Sequence, residues 1–241
     1  MVHFQFLMSL SCNGERIVGT DNLFQKKRMR DAQELSRQKS KRAPYEIVHI
    51  ICEGETECAY IKKLIQFFRL NAANVTVAKG QGSAPISIVD EGFELARTKS
   101  GIDRIVYVFD RDNHESYNRA IKKVTEYKSK RNDKSKPIYT TIISVPCFEV
   151  WLLLHFNLTT KAYTKSGKKT PADNVITDLH RDILGYQKIV DITEWFDQVL
   201  PRIEMAIKHA ELLAEHNKKT NSINPSTNIH ELIFLFKDLK K

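Results

Sequence analysis

Two stretches of the chain decide its fold: IVHIICEGETE at residues 47–57 and IVYVFDRD at residues 105–112. Each begins with a short run of apolar, mostly β-branched residues, which is typical of a strand that is buried on both faces. Each run ends abruptly in acidic residues, and Gly54 permits a sharp turn directly after the first run. Both stretches therefore predict a buried strand that leads into a polar turn.

Two further strands continue this pattern along the chain. Residues 75–78 and 138–144 are short runs with strand character. Apolar residues at helical spacing follow the first, second and fourth predicted strands, whereas a polar helix is predicted after the third. After the first strand these apolar residues are Ile61, Leu64, Ile65 and Phe68. Thr56 is the side chain that we expect to cap this helix. Strands that alternate with helices predict a parallel sheet with helices on both faces.

The strand signal ends at about residue 157. Beyond it, helices are predicted at residues 172–184, 193–218 and 228–239. The expected fold class is therefore α/β, with an α-helical C-terminal portion after the sheet. We expect three segments: a basic N-terminal arm at 1–44, a catalytic α/β domain at 45–157, and a helical portion at 158–241 packed on that domain.

The N-terminal arm has no convincing periodicity of its own. Eight basic residues lie between Lys26 and Arg42, where only Asp31 and Glu34 are acidic. The segment is either a basic helix that ends at Pro44 and contacts phosphates or a solvated leader. The sequence leaves both readings open.

The charge of the whole chain favours a polyanionic partner. Its 38 Lys and Arg residues exceed its 29 Asp and Glu residues, which gives a formal net charge of +9. Nucleic acid, DNA or RNA, is the partner that such a surplus favours, because neutralised phosphates release counterions. Many basic proteins carry their charge without any such role, so the charge alone leaves that alternative open.

The remaining composition bounds the class of protein. The four cysteines are scattered, which fits neither a disulfide framework nor a zinc site with close Cys-x-x-Cys spacing. No apolar run approaches the ~20 residues that a membrane-spanning helix needs. We therefore expect a cytoplasmic protein without a membrane partner.

Acidic residues follow three of the predicted strands at their carboxyl ends. Glu53 closes the first strand, Glu57 follows it on the first helical turn, Asp110 and Asp112 close the third strand, and Glu149 follows the fourth. Ligands of parallel α/β sheets gather at these ends. Carboxylate oxygens are preferred ligands of Mg²⁺, which usually binds one or two carboxylates together with substrate phosphates. The sequence therefore predicts a site for one or two metal ions here.

Each of these residues also has a structural explanation when it is taken alone. An Asp-x-Asp motif often only caps the following helix, and Glu149 can simply complement a helix dipole. Taken together, the acids favour the metal site, because like charges that converge without a cation are costly. His155 carries no such pattern, and we expect it to pack or hydrogen-bond inside its helix rather than act as a base.

These motifs resemble known families. Residues 51–57 and 108–112 resemble the TOPRIM signature that primases, type II topoisomerases and OLD-type nucleases share. Three further stretches resemble the RloB/AbiLii group of bacterial phage-defence proteins: GTDNLF at 19–24, PCFE with WLLLHF at 146–149 and 151–156, and NPST at 224–227. The resemblance extends over nearly the whole chain from residue 19, and the first 18 residues are read as an extension or an early start codon.

The resemblance implies a TOPRIM fold in which Glu53, Asp110 and Asp112 hold Mg²⁺ or Mn²⁺. It also implies a partner, an AAA-type ATPase encoded nearby. OLD-type nucleases place a lysine near the scissile phosphate, and Lys188 is the candidate for that role. Lys161 and Lys165 are the weaker candidates.

From motifs and resemblance together we expect a metal-dependent nuclease that acts in anti-phage defence by abortive infection. Glu57 and Glu149 are expected to complete the catalytic and metal site. The substrate is DNA or RNA, with tRNA among the possibilities, and self-association stays open. The main alternative is a TOPRIM-derived sensor or partner-binding subunit without turnover. A phosphatase of the haloacid-dehalogenase type fits less well, because its Asp-x-Asp usually closes the first strand and Glu53-Gly54 would have no role.

Overall fold

The computed structural model describes residues 26–30, 45–82, 84–111, 115–129, 136–188 and 191–240. The chain divides into two compact units, residues 1–44 and residues 45–241. In the first unit the described residues, 26–30, are helical and exposed, and the rest of the predicted basic arm lies outside the described residues. Everything below concerns the second unit.

A five-stranded sheet forms the centre of this unit. Its strands are β1 (Val48–Cys52), β2 (Val75–Lys79), β3 (Arg104–Asp110), β4 (Ile138–Val145) and β5 (Ser226–Thr227). They lie in the order β2-β1-β3-β4-β5. The first four strands are parallel, and β5 is antiparallel to β4. The predicted α/β class with a mainly parallel sheet is confirmed.

Eight α-helices surround the sheet in the described part of this unit. They are α1 (Glu55–Phe68), α2 (Pro85–Thr98), α3 (Tyr117–Ser129), α4 (Glu149–Leu153), α5 (Pro171–Leu179), α6 (Thr193–Val199), α7 (Ile203–Thr220) and α8 (Ile229–Leu239). A 3₁₀ turn at Leu200–Arg202 separates α6 from α7, where a single helix was predicted. Pro201 lacks the N–H that an uninterrupted helix needs there. The helical C-terminal portion is confirmed.

Alternation along β3 assigns its side chains to two hydrophobic clusters. Ile105, Tyr107 and Phe109 pack with residues of α2 and α3. Val106 and Val108 pack with α1 and the C-terminal helices. The sheet is thus covered on both faces, as its continuous apolar strands require.

The larger cluster is continuous across residue 157. Tyr60 of α1 stacks against Trp195 of α6, with ring centroids 6.3 Å apart. The Tyr60 hydroxyl accepts a hydrogen bond of 2.8 Å from the indole N–H of Trp151. Helices from both sides of residue 157 therefore share one core. None of the helices in the described part of the chain combines the length and apolar character that a membrane-spanning segment needs.

The sheet ends in a strand that the sequence did not predict. β5 has two residues, too few for any strand pattern, and it pairs with Ser144 and Val145 of β4. Asn228 extends this pairing with its side chain: its carbonyl oxygen accepts from the Ile143 N–H at 2.6 Å and its amide donates to the Thr141 carbonyl at 3.1 Å. One asparagine thus occupies backbone groups that a longer fifth strand would pair.

The first helix begins two residues earlier than the capping prediction implies. Gly54 is its N-cap residue, with extended backbone angles and no capping side chain. Thr56, the predicted cap, lies inside the first turn, so that prediction was wrong. The glycine has a steric role, since a Cβ added to it would collide with the Glu57 carboxyl group.

Candidate functional site

The carboxyl ends of β1 and β3 bring two of the predicted acids side by side. The strands are neighbours, with Cys52 opposite Val108. The Glu53 N–H continues the ladder by donating to the Val108 carbonyl at 2.9 Å. One Glu53 carboxylate oxygen, Oε2, accepts from the Asp110 N–H at 3.3 Å. Glu53 and Asp110 therefore border the same crevice.

Glu57 lies on the first turn of α1 with its carboxyl group folded back over Gly54. Its side chain is buried, and the missing Cβ of Gly54 leaves the space that the carboxyl group occupies. Burial raises the pKa of Glu57 to about 7, and the negative charge of the nearby Glu149 carboxylate adds to this rise. A hydrogen bond from the backbone N–H of Glu57 lowers the pKa but does not outweigh the other effects. Near neutral pH this group is therefore poised between its neutral and charged forms.

Asp110 faces the same two glutamates. Burial raises its pKa well above the usual range, and the negative charges of Glu57 and Glu149 raise it further. The pKa of Asp110 is lowered by a hydrogen bond from the backbone N–H of Phe148 and by the positive charge of Lys188. Part of the Asp110 residue stays accessible to solvent, while its carboxyl group lies in a buried environment.

Glu149 begins α4, directly after the fourth strand, and is almost completely buried, with 1% of its surface exposed. Its Oε1 atom accepts from the Tyr186 hydroxyl at 2.9 Å and pairs with the Lys188 ammonium at 2.9 Å. Its Oε2 atom is buried and has no hydrogen-bond partner among the described residues. Buried carboxylate oxygens are rarely left in this state, and one that is needs an explanation such as an ion.

Lys188 supplies a positive charge to this group of acids. Its side chain is 48% exposed, while its partner Glu149 is buried. Burial pulls the pKa of Lys188 down, but the contact with Glu149 outweighs this effect and leaves the pKa above its ordinary value. Lys188 is therefore charged at neutral pH, with one end of its side chain open to solvent.

The structure thus gathers most of the predicted site residues. Glu57, Asp110 and Glu149 are close enough for their charges to act on one another, with Lys188 between them and solvent, and Glu53 bonded to the Asp110 backbone. The predicted ligand Asp112 lies outside the described residues. Within the described ranges, no three His, Cys, Asp or Glu side chains stand in an arrangement ready to hold a metal ion.

Other residues weighed from the sequence lie elsewhere. Lys161 pairs with Asp178 at 2.8 Å, and Lys165 is exposed. His155 is fully buried, with its Nδ1 atom 3.0 Å from the Trp151 carbonyl. His155 is thus placed in the core, as its expected packing role requires.

Sequence reasoning missed Tyr186, which binds Glu149 from a loop 37 residues later. Burial and the negative charge of Glu149 raise the pKa of Tyr186 far above its ordinary value, so its hydroxyl stays protonated and donates to Oε1. No local pattern marks this tyrosine. Its position two residues before Lys188 is the one signal that links it to the site.

Comparison with known proteins agrees with the family features in the sequence. Residues 48–235 match the family model described as RloB-like protein. A search among curated proteins found no match. The matched range contains the whole sheet and every described residue of the crevice. The chain therefore belongs to the RloB-like protein family.

Proposed function

We propose that this protein is a divalent-metal-dependent nuclease. The observation that carries the proposal is the convergence of Glu57, Asp110 and Glu149 at the carboxyl end of a parallel sheet. One buried Glu149 oxygen there has no hydrogen-bond partner in the described part of the chain. Carboxylates that repel one another in a buried crevice lower the stability of the fold unless a cation binds them. Many enzymes that cleave phosphodiesters use such a cation.

The donor chemistry of the crevice fits Mg²⁺ or Mn²⁺. Its acidic side chains offer oxygen atoms, which hard divalent cations prefer. Glu53 and Asp110 would hold the ion, together with Asp112, and Glu57 and Glu149 would serve the same or a second ion. When bound, the metal would supply Lewis-acid polarisation of a phosphate. The order of the acidic motifs along the chain, Glu53-Gly54 first and Asp110-x-Asp112 second, resembles that of TOPRIM proteins, so the proposed site is of the TOPRIM type.

The remaining groups of the crevice have roles that follow from their contacts. Lys188 is charged and half exposed, so its ammonium can bind a phosphate oxygen of the substrate while staying near Glu149. Tyr186 donates a hydrogen bond to the Oε1 atom of Glu149, and the Oε2 atom has no hydrogen-bond partner among the described residues. Gly54 provides the space in which Glu57 lies. Together these contacts fix the carboxylates before any ligand binds.

The biological setting of the proposal comes from the family. The RloB/AbiLii resemblance adds anti-phage defence by abortive infection and an AAA-type ATPase as the partner. The net charge of +9 supports nucleic acid as the substrate. The proposal leaves DNA and RNA as alternatives that experiment separates.

The test is cleavage by the purified full chain. Wild-type protein is incubated with single-stranded and duplex DNA, RNA and tRNA, in Mg²⁺, in Mn²⁺ and in EDTA, with and without the neighbouring ATPase. We expect metal-dependent cleavage that Asp110→Asn abolishes. Asp197→Asn is the matched control, because it makes the same change at an exposed position of α6.

Each outcome has a definite meaning. Cleavage that persists in EDTA or in Asp110→Asn would contradict the proposal. Metal binding without cleavage of any substrate, even with the ATPase present, would favour the non-catalytic sensor or partner-binding subunit instead.

A further inference from the structure

A cleft of about 470 Å³ lies beside α1, on the β2 side of the sheet. Three lysines line it, Lys62 and Lys63 of α1 and Lys79 at the end of β2, and Ile192 adds an apolar wall. Its volume lies in the range of ligand-binding pockets. The acidic crevice does not include these residues.

The register of the sheet places this cleft next to the acidic crevice. Lys79 lies opposite Cys52, the residue before Glu53, so the two sites lie at the carboxyl ends of adjacent strands. Lys188 of the crevice and Ile192 of the cleft are four residues apart in sequence. Four residues span at most about 14 Å. A short stretch of a polymer can therefore contact both sites.

The charge of the cleft is positive even when its own acids are counted. Lys79 pairs with Glu55 at 3.1 Å, and Lys63 donates to the neutral Thr193 hydroxyl at 3.2 Å. Lys62 lies beside the Cys58 side chain. Asp191 lies near Lys63 and adds a second negative charge. The Glu55 and Asp191 carboxylates together still leave one of the three lysine charges unbalanced.

We propose that this lysine cleft, defined by Lys62, Lys63 and Lys79, binds backbone phosphates of a nucleic-acid strand that flanks the scissile phosphate. The inference rests on the proposed nuclease function and adds to it a position for the flanking strand. Lysine ammonium groups bind phosphates as compact charges without reading sequence. The strand then runs from the acidic crevice across α1 towards β2.

The experiment measures binding in EDTA, so that it does not depend on cleavage. Fluorescein-labelled single-stranded DNA and RNA oligonucleotides are titrated with wild type, with Lys62→Gln/Lys63→Gln, and with Lys218→Gln/Lys219→Gln. The last variant removes the same charge from exposed positions in the final turn of α7. Lys62→Glu, a single change at an exposed residue, serves as a second variant should the first fold poorly.

We expect the cleft variant to bind at least about tenfold more weakly at low salt, since each lost charged contact weakens binding. Its slope of log affinity against log salt should fall by about 1.4, the value for two phosphate contacts on a single strand. The α7 variant should keep the wild-type slope.

Three results would overturn the inference. One is an unchanged affinity and slope in the cleft variant, and another is an equal loss in the α7 variant. The third is displacement of the oligonucleotide by a nucleoside triphosphate at equal phosphate concentration, which would assign the cleft to a free nucleotide. A wild-type protein that binds strands through the cleft but never cleaves them would instead refute the nuclease function and leave the cleft assignment in place.

Discussion

At the scale of single residues, the two oxygens of Glu149 are in different environments. Oε1 has both the Tyr186 hydroxyl and the Lys188 ammonium as partners, whereas Oε2 is buried without one among the described residues. A carboxylate that served only the dipole of its five-residue helix would not need a tyrosine and a lysine from a distant loop. The contacts therefore favour a role for Glu149 in the crevice.

Glu149→Gln tests this role, because it keeps the shape of the side chain and removes its charge. We expect normal folding, nearly normal nucleic-acid binding and cleavage reduced at least about a hundredfold, as for other electrostatic catalytic groups. Loss of a dipole interaction alone would change stability by only ~0.3–1 kcal/mol. Glu215→Gln, at an exposed position of α7, is the control. A variant that folds and cuts at the wild-type rate would remove Glu149 from the site.

His155 gives a prediction about pH that is independent of the crevice. Burial lowers its pKa from 6.5 to about 4, against backbone hydrogen bonds at Trp151 and Leu152 that raise it. Between these values the unfolded chain binds a proton that the native protein does not, so stability falls as the pH drops from 6.5 to 4. The slope of the unfolding free energy from this residue is at most about 1.4 kcal/mol per pH unit.

Urea denaturation at several pH values checks the prediction. His155→Gln should be less stable than wild type at pH 7 and should lose part of the slope between pH 6.5 and 4. An identical slope in both proteins would show that His155 does not titrate as its burial requires.

At the scale of elements, one residue at the end of the sheet and one at the start of the first helix have local structural roles. Asn228 pairs with the backbone of β4 where β5 is too short to do so. Gly54 ends the turn after β1 and leaves space for the Glu57 carboxyl group. Both depend on one side chain, or its absence, at the end of an element.

Asn228→Ala removes both side-chain bonds to β4. The Ile143 N–H and the Thr141 carbonyl then lose partners, and we expect the protein to lose about 1–3 kcal/mol of stability. Asn228→Asp keeps the acceptor for the Ile143 N–H, but it places a carboxylate oxygen opposite the Thr141 carbonyl and the Glu231 carboxylate. It should therefore also be less stable than wild type. Urea midpoints at unchanged slope measure both changes. Equal stability of Asn228→Ala and wild type would contradict the structural role.

Gly54→Ala should separate activity from stability. The backbone angles at Gly54 (φ −101°, ψ 157°) suit alanine, but the new Cβ would collide with the Glu57 carboxyl group. We expect a folded protein with a displaced Glu57 and clearly reduced cleavage. Gly101→Ala is the converse control, because its φ of +80° strains alanine while its surroundings are open, so it should lower stability and leave cleavage unchanged. Full activity of Gly54→Ala would show that Glu57 can move without consequence.

At the scale of the whole molecule, the proposed metal site would link metal binding to stability. Its acids come from the end of β1, from α1, from β3 and from α4, so an ion bound there would join elements distant in sequence. A ligand that binds only the folded state stabilises it by mass action. The melting temperature therefore measures metal binding through its effect on the stability of the fold.

Millimolar Mg²⁺ or Mn²⁺ should raise the melting temperature of wild type. Glu53→Gln and Asp110→Asn should abolish the shift, since each removes a charged oxygen from the crevice, and Asp197→Asn should retain it. Differential scanning calorimetry at constant ionic strength measures the effect. A wild-type melting temperature that does not respond to either metal would weigh heavily against the site.

The sequence by itself determined the α/β class and the neighbourhood of Glu53 and Asp110. Their strands are marked by local apolar runs, and the carboxyl ends of parallel strands must share an edge. It also pointed to Lys188, through family resemblance. These features rest on periodicity and on the fixed geometry of a parallel sheet, which a linear sequence carries.

Only the tertiary structure decided the rest. β5, Tyr186 and the lysine cleft depend on contacts between segments far apart in the chain, and a strand of two residues or a single tyrosine has no periodicity to detect. The position of the Glu57 carboxyl group over Gly54 depends on how β1, α1 and α4 pack together. Local sequence sets which elements form, whereas the burial and pairing of each carboxylate depend on the neighbours that the folded chain provides.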